Sequence, residues 1–223
     1  MEPIKITIQL RRPMVAPNHL FHADALLAGL KVEQAEQEAG CAVNPEDHQH
    51  DLPIERYHSP SGEWCFKASA FNLVMEEGSI LQNRFATRRI SEPDAADLIQ
   101  EGLVQTRQSK PNRAGGNFKM GLSSYLCGWY KATAYLVADK QKIEQLLSGL
   151  TNIGARRGIN SGEVESVKVE SVPEKECLWQ RRALPFDFDQ EVDESIALCK
   201  AVACIRPPYW NKGAYRMVLE PAV

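Results

Sequence analysis

Trp129-Tyr130-Lys131-Ala132-Thr133-Ala134-Tyr135-Leu136-Val137-Ala138 runs directly into Asp139-Lys140-Gln141-Lys142-Ile143-Glu144-Gln145-Leu146-Leu147-Ser148-Gly149-Leu150. The first ten residues place Trp129, Lys131, Thr133, Tyr135 and Val137 on one face, which predicts a strand. Asp139 is a residue type that caps helix starts. Behind it, Ile143, Leu146, Leu147 and Leu150 fall at i, i+3, i+4 and i+7, the spacing of a core-facing helical stripe. Gly149 and Asn152 supply the exit, residues 152–162 read as a loop, and Glu163 to Glu170 read as the next strand. Strand, helix, loop and strand in this order make one half of a ferredoxin-like βαββαβ arrangement.

Working outward, Ile4-Lys5-Ile6-Thr7-Ile8-Gln9-Leu10 alternates without error and predicts a half-buried strand, broken by Pro13 and Pro17. A helix is expected from about Ala23, with Leu26, Leu27 and Leu30 on one side. Residues 40–62, rich in Pro, His, Asp and Ser, read as a long loop or hairpin excursion. Trp64 to Met75 reads as a strand. Ile80 to Ile90, with Arg84, Arg88 and Arg89, reads as an extended basic strand or a short helix. A short acidic helix is expected at Asp94 to Leu103. Residues 107–121, with Arg107, Lys110, Arg113 and Lys119 among glycines, read as a flexible basic loop or hairpin tip. Beyond Pro173 come a possible strand near Leu178–Arg181, the acidic stretch Asp187–Glu194, the apolar stretch Ile196–Ile205 and a last strand, Tyr215 to Leu219. The class is α+β, in a single domain.

The chain has 223 residues, 43% apolar and 25% charged, ordinary for a soluble globular protein. No apolar run approaches the roughly 18–20 residues of a membrane span, and Met1 to Lys5 lacks the pattern of a signal peptide. A cytoplasmic protein without membrane contact is expected. The six cysteines (Cys41, Cys65, Cys127, Cys177, Cys199, Cys204) form no CxxC pair, so buried thiols are expected rather than a metal site. Net charge is −3, yet residues 102–138 contain no acid while Arg107, Lys110, Arg113, Lys119 and Lys131 fall there. Such segregation lets one face be positive despite the total.

The stretch Asn152-Ile153-Gly154-Ala155-Arg156-Arg157-Gly158-Ile159-Asn160-Ser161-Gly162 carries the most chemistry. Its glycines allow positive φ and close approach of a ligand to the backbone. Arg156 and Arg157 offer forked donors for phosphate oxygens, and successive amides can cradle an anion. It is neither a P-loop nor GxGxxG, and a plain helix-to-strand connection is the alternative.

This loop, between helix and strand, resembles the glycine-rich loop of the RAMP superfamily of CRISPR-associated RNA-binding proteins. The opening strand with Pro13-Met14-Val15 and His22-Ala23-Asp24-Ala25-Leu26-Leu27-Ala28, and Arg206-Pro207-Pro208-Tyr209-Trp210 near the end, resemble the handle-binding subunits of type IV CRISPR complexes, relatives of the fifth Cas protein family. The resemblance implies a ferredoxin-like (RRM-type) RAMP fold with a basic hairpin or thumb at about 105–122. It implies a non-catalytic, cofactor-free subunit that binds the 5′ handle of the crRNA, touches the backbone and large subunits, and stands near the target DNA's flanking motif. The RNA-binding residues expected are Arg84, Arg88, Arg89, Arg107, Lys110, Arg113, Lys119, Gly154, Arg156, Arg157, Asn160, Tyr209, Trp210 and Lys212. Tyr209 and Trp210 are expected as exposed stacking contacts, whereas Trp129 and Tyr130 are as well explained by core packing. Two other classes fit the residues. One is a metal-independent ribonuclease using His22 as general acid or base, the other histidines being His19, His48, His50 and His58. The other is a protein-only assembly subunit docking through Asp187–Glu194.

Overall fold

The structure, a computed structural model, describes residues 1–17, 19–88, 100, 121–154 and 161–222. The alternating N-terminal segment forms β1 (Glu2–Leu10), with Ile4, Ile6, Ile8 and Leu10 buried. It pairs antiparallel with β7 (Tyr130–Ala138) on one side and β8 (Val164–Ser171) on the other. Strand β4 (Asn72–Met75) adds antiparallel to β7, so the sheet runs β4-β7-β1-β8. Helix α1 (Ala23–Ala39) lies in the chain between β1 and β4, and α2 (Lys140–Leu147) between β7 and β8. This mixed α+β order is compatible with the expected ferredoxin-like arrangement.

One sheet face is sealed by the helices. Ile4, Ile6 and Ile8 of β1 and Ala132, Ala134 and Leu136 of β7 pack with Leu26, Leu27 and Leu30 of α1 and Ile143 and Leu147 of α2. Asp139 caps α2 by accepting from the Lys142 N–H at 3.2 Å, and Gly40, at φ 68°, ends α1 in the left-handed conformation that glycine tolerates. Against part of the opposite face a second cluster forms, in which Tyr57, Trp179, Leu184, Ile205 and Val218 meet Tyr135 and Val137. It belongs to the hairpin β2 (Arg56–His58)–β3 (Trp64–Phe66) and to a sheet of β9 (Leu184–Pro185), β10 (Leu198–Ala203) and β11 (Arg216–Pro221), in the order β10-β11-β9. Residues Ile80–Cys127 form a compact unit of their own, built on the antiparallel pair β5 (Gln82–Arg88) and β6 (Gly121–Cys127). No helix among the described residues is long and apolar enough to cross a membrane.

Several expectations are refined. Residues 40–62 combine both readings: a loop with a 3₁₀ turn at Pro45–Asp47, then the first arm and turn of a hairpin, since β2 pairs with β3. Residues 82–88 are strand, not helix. Trp64 to Met75 is two strands rather than one, and no strand forms at Leu178–Arg181. Arg182 meets the chain at both places. The carbonyls of Phe66 and Ala68 accept from Arg182 Nη1, at 2.7 and 2.9 Å, and residues 178–182 turn tightly so that the Arg182 side chain enters the interior. The expected helix at 94–99 and 101–103, and the basic tip at 105–120, lie outside the described residues.

Arg182 is wholly buried and reaches the Asp24 carboxylate at 3.1 Å, the Ile205 carbonyl, the Ala183 carbonyl and the Tyr209 hydroxyl. Tyr209 in turn donates to Asp24 at 3.0 Å. Removing one member of a buried ion pair strands the other charge. Arg182→Ala is therefore expected to cost about 3–5 kcal/mol, read as a fall in the urea midpoint, while Glu144→Ala on the exposed side of α2 stays within about 0.5 kcal/mol.

Candidate nucleic-acid interface

The glycine loop stands on a closed base. Ile153, fully buried, donates its N–H to the Gly162 carbonyl at 2.9 Å, and Val164 donates to the Thr151 carbonyl at 2.8 Å. The Asn152 side-chain amide donates to the Ser161 carbonyl at 3.2 Å. The base is also fixed to the segment after β1: Gly162 N–H donates to Pro13 O at 3.0 Å, and Val15 N–H donates to Ser161 Oγ at 3.2 Å. Both feet need glycine. Gly154 (φ 83°) and Gly162 (φ 67°) occupy the left-handed region, and a Cβ on Gly162 would stand 2.0 Å from the Ile153 carbonyl oxygen. The loop is thus held at a defined point, beside the end of β1 and the start of β8. Arg156, Arg157 and Asn160 lie outside the described residues.

At the same end two further cations stand on the surface, Arg11 and Arg12, with side chains 69% and 50% exposed. Both converge on Glu163, which follows Gly162 in the chain. Sequence pattern does not single them out, although an Arg-Arg-Pro that closes a half-buried strand is a usable signal. The sheet face not covered by helices continues from there. Thr7 of β1 lies between Thr133 of β7 and Lys168 of β8, and Asn72 of β4 lies beyond Thr133. Lys131 and Val74, paired across β4 and β7, are exposed. Hydroxyls, amides and lysines on an open sheet suit a polar, anionic ligand.

The remaining expected residues fall on other elements or outside the described residues. Arg84 and Arg88 are on β5, opposite Tyr125 and Gly121. Lys212 opens a 3₁₀ turn, Lys212–Ala214. Arg89, Arg107, Lys110, Arg113 and Lys119 lie outside the described residues. Trp129 and Tyr130 are half-buried, and Tyr130 packs on the main core. Trp210 is 68% exposed, as a stacking residue needs to be. Tyr209 departs from its expected exposure: its hydroxyl sits inside the Asp24–Arg182 cluster and its ring stacks on His22, 4.5 Å between centroids and 5° from parallel.

His22, the candidate acid–base residue, is buried beneath that ring. Burial first, then the Arg182 charge and His19, hold its imidazole well below the ordinary value, so it is neutral. Among the described residues its Nδ1 has no hydrogen-bond partner. Burial likewise lifts the Tyr209 hydroxyl well above its ordinary value, keeping it a donor to Asp24. Burial opposes the Arg182 charge, but Asp24 and then Tyr209 outweigh it and hold the guanidinium above its usual pKa.

The family described as CRISPR type IV associated protein Csf3 matches residues 2–221 of the chain. No curated protein matches it.

Two measurements check this geometry. Gly162→Ala is expected to lower the unfolding midpoint by the equivalent of about 1–3 kcal/mol, from left-handed strain and the carbonyl clash. Gly29→Ala, with open space at its Cβ inside α1, should leave it unchanged or raise it by up to about 1 kcal/mol. His22 is neutral when folded but takes a proton in the unfolded chain below about pH 6.5. Its contribution to stability is complete above that pH and is lost as pH falls toward its lowered folded value, by at most about 1.4 kcal/mol per pH unit. Thermal unfolding between pH 7 and 5 should therefore fall more steeply for the wild type than for His22→Phe, which keeps the stack on Tyr209.

Proposed function

This chain belongs to the Csf3 family of type IV CRISPR-associated proteins, and on that premise we propose that it is a non-catalytic RNA-binding subunit of a type IV CRISPR ribonucleoprotein. On this reading the sheet is a RAMP-type palm, the β5–β6 pair carries a basic thumb over 105–122, and the protein clasps the single-stranded 5′ handle of the crRNA. Its partners are the crRNA, the backbone and large subunits, and target DNA near the flanking motif, while base pairing by the guide supplies sequence specificity.

The observation that carries the reading is the closed, glycine-dependent base of the loop whose sequence includes Arg156 and Arg157. Two left-handed glycines and ties to the segment after β1 anchor both ends of the loop, which supports a binding role for the arginines in its sequence. Fixing the two ends of a loop lowers the entropy lost when arginines between them engage phosphates. Exposed Trp210 supplies a stacking surface. The burial of His22 supports the non-catalytic reading, because a general acid or base must reach the proton it transfers. Val202 and Met217, paired across β10 and β11 and both more than half exposed, offer apolar area to a neighbouring subunit.

The test is binding of the crRNA from the protein's own CRISPR array, followed by fluorescence anisotropy from 50 to 300 mM salt. Arg156→Ala/Arg157→Ala, and separately Lys110→Ala/Arg113→Ala/Lys119→Ala, are each expected to weaken binding about tenfold or more and to flatten the salt dependence. Unchanged affinity and slope in both variants would remove the RNA-binding reading. Site-specific cleavage of the precursor RNA that disappears in His22→Ala would replace it with the ribonuclease reading.

A further inference from the structure

The end of β1 carries a second cationic element that the glycine loop does not account for. The backbone N–H groups of Arg11 and Arg12 both donate to the Glu163 carbonyl, at 2.8 and 3.3 Å. Their side chains then fold onto the carboxylate of the same residue, Arg12 Nε at 2.8 Å from Oε2 and Arg11 Nη1 at 3.5 Å from Oε1. One acid thus serves two guanidiniums, leaving a net positive site. Each arginine uses one nitrogen of its fork, so most of its five donors have no protein partner among the described residues.

Two facts decide what this arrangement is for. The side chains are 69%, 50% and 30% exposed, and ion pairs so open to water contribute little stability. The Glu163 backbone meanwhile keeps its place whatever its side chain does, through its carbonyl's two bonds and the Asn152–Glu163 bridge. The carboxylate can therefore let go without disturbing the loop. A phosphodiester meets an arginine fork with two charge-assisted hydrogen bonds, a better match than one-nitrogen contact with a shared carboxylate.

We infer that Arg11 and Arg12 form a second phosphate clamp for the RNA strand held by the glycine loop, and that Glu163 is its internal place-holder. In the free protein Glu163 occupies the forks, keeps both guanidiniums turned toward the loop's foot, and tempers non-specific attraction of polyanions. On binding, backbone phosphates displace it. The inference rests on the RNA-binding reading above, and it adds which residues extend the grip on the strand and which one competes with it.

The probe is 5′-fluorescein-labelled crRNA of the protein's own array, titrated with the full chain at 50–300 mM salt. Arg11→Ala/Arg12→Ala is expected to weaken binding about tenfold at 100 mM salt and to reduce the log–log salt slope by about 0.7 for each phosphate no longer neutralised. Arg11→Gln/Arg12→Gln, which removes the charges but keeps an amide donor on a longer side chain, should do the same and covers the case where the alanine pair folds poorly. Glu163→Gln, which leaves the backbone ties intact, is expected to tighten binding about two- to fivefold. Wild-type affinity and slope in both arginine pairs, with binding still weakened by Arg156→Ala/Arg157→Ala, would overturn the clamp and spare the proposed function. Weaker binding by a folded Glu163→Gln would overturn the place-holder role. Absence of crRNA binding by the wild type would overturn the function and the clamp together.

Discussion

A guanidinium taken entirely out of water must find an acceptor for each of its N–H groups, or the fold that buries it is untenable. Arg182 meets that demand with the Asp24 carboxylate, the Tyr209 hydroxyl and the carbonyls of Phe66, Ala68, Ala183 and Ile205. These partners come from the first turn of α1, the end of β3 and the segment after it, the turn before β9, and the loop after β10. They are also where the two apolar clusters adjoin, with Ala23, Phe66 and Ala68 in one and Ala183 and Ile205 in the other. Apolar packing alone would tolerate small slips of these segments past one another. A directional ion pair with six hydrogen-bonding partners does not, so the cluster fixes the register in which the C-terminal sheet is attached.

The proposed interface lies on the opposite kind of surface. The helices cover one face of the four-stranded sheet and the C-terminal sheet covers part of the other. What stays open is the end where β1 finishes and β8 begins. There the chain gathers the feet of the glycine loop, the Arg11–Arg12 pair and the hydroxyl- and lysine-bearing rows through Thr7 and Lys131. On the proposed reading, rigid interior and polar rim belong together, because side chains that bind phosphates lose less entropy when their supports do not move.

Much of this frame is written in local pattern. The alternation of Ile4 to Leu10, the stripe Ile143–Leu147–Leu150 and the Asp139 cap each follow from one element's own period, and each is where the sequence places it. The glycine loop was legible because only glycine suits φ near +70 to +80°, though which two glycines matter emerges only when Gly162 meets the Ile153 carbonyl. Arg182 was not legible. By type it is a surface residue, and its carboxylate partner lies 158 positions away, so no local period reveals either its burial or its bonds to the carbonyls of Phe66 and Ala68. Tyr209 misled for the same reason, since a tyrosine in a proline-rich loop looks exposed until its hydroxyl finds Asp24. Arg11 and Arg12 meet Glu163 only through the β1–β8 pairing, a contact that no local pattern carries.

The place of β1 has a consequence for how the chain is made. It precedes β7 and β8 by more than a hundred positions in the chain, yet it lies between them in the sheet. Until those leave the ribosome, Ile4, Ile6 and Ile8 lack both of their sheet partners, and the nascent chain carries this sticky, strand-prone segment while more than a hundred further residues are made. High sequence separation of this kind slows folding and leaves edges open to wrong pairing. Chaperones acting during synthesis, or early encounter with the other components of the particle, would therefore matter more for this protein than for one whose central strand is made last.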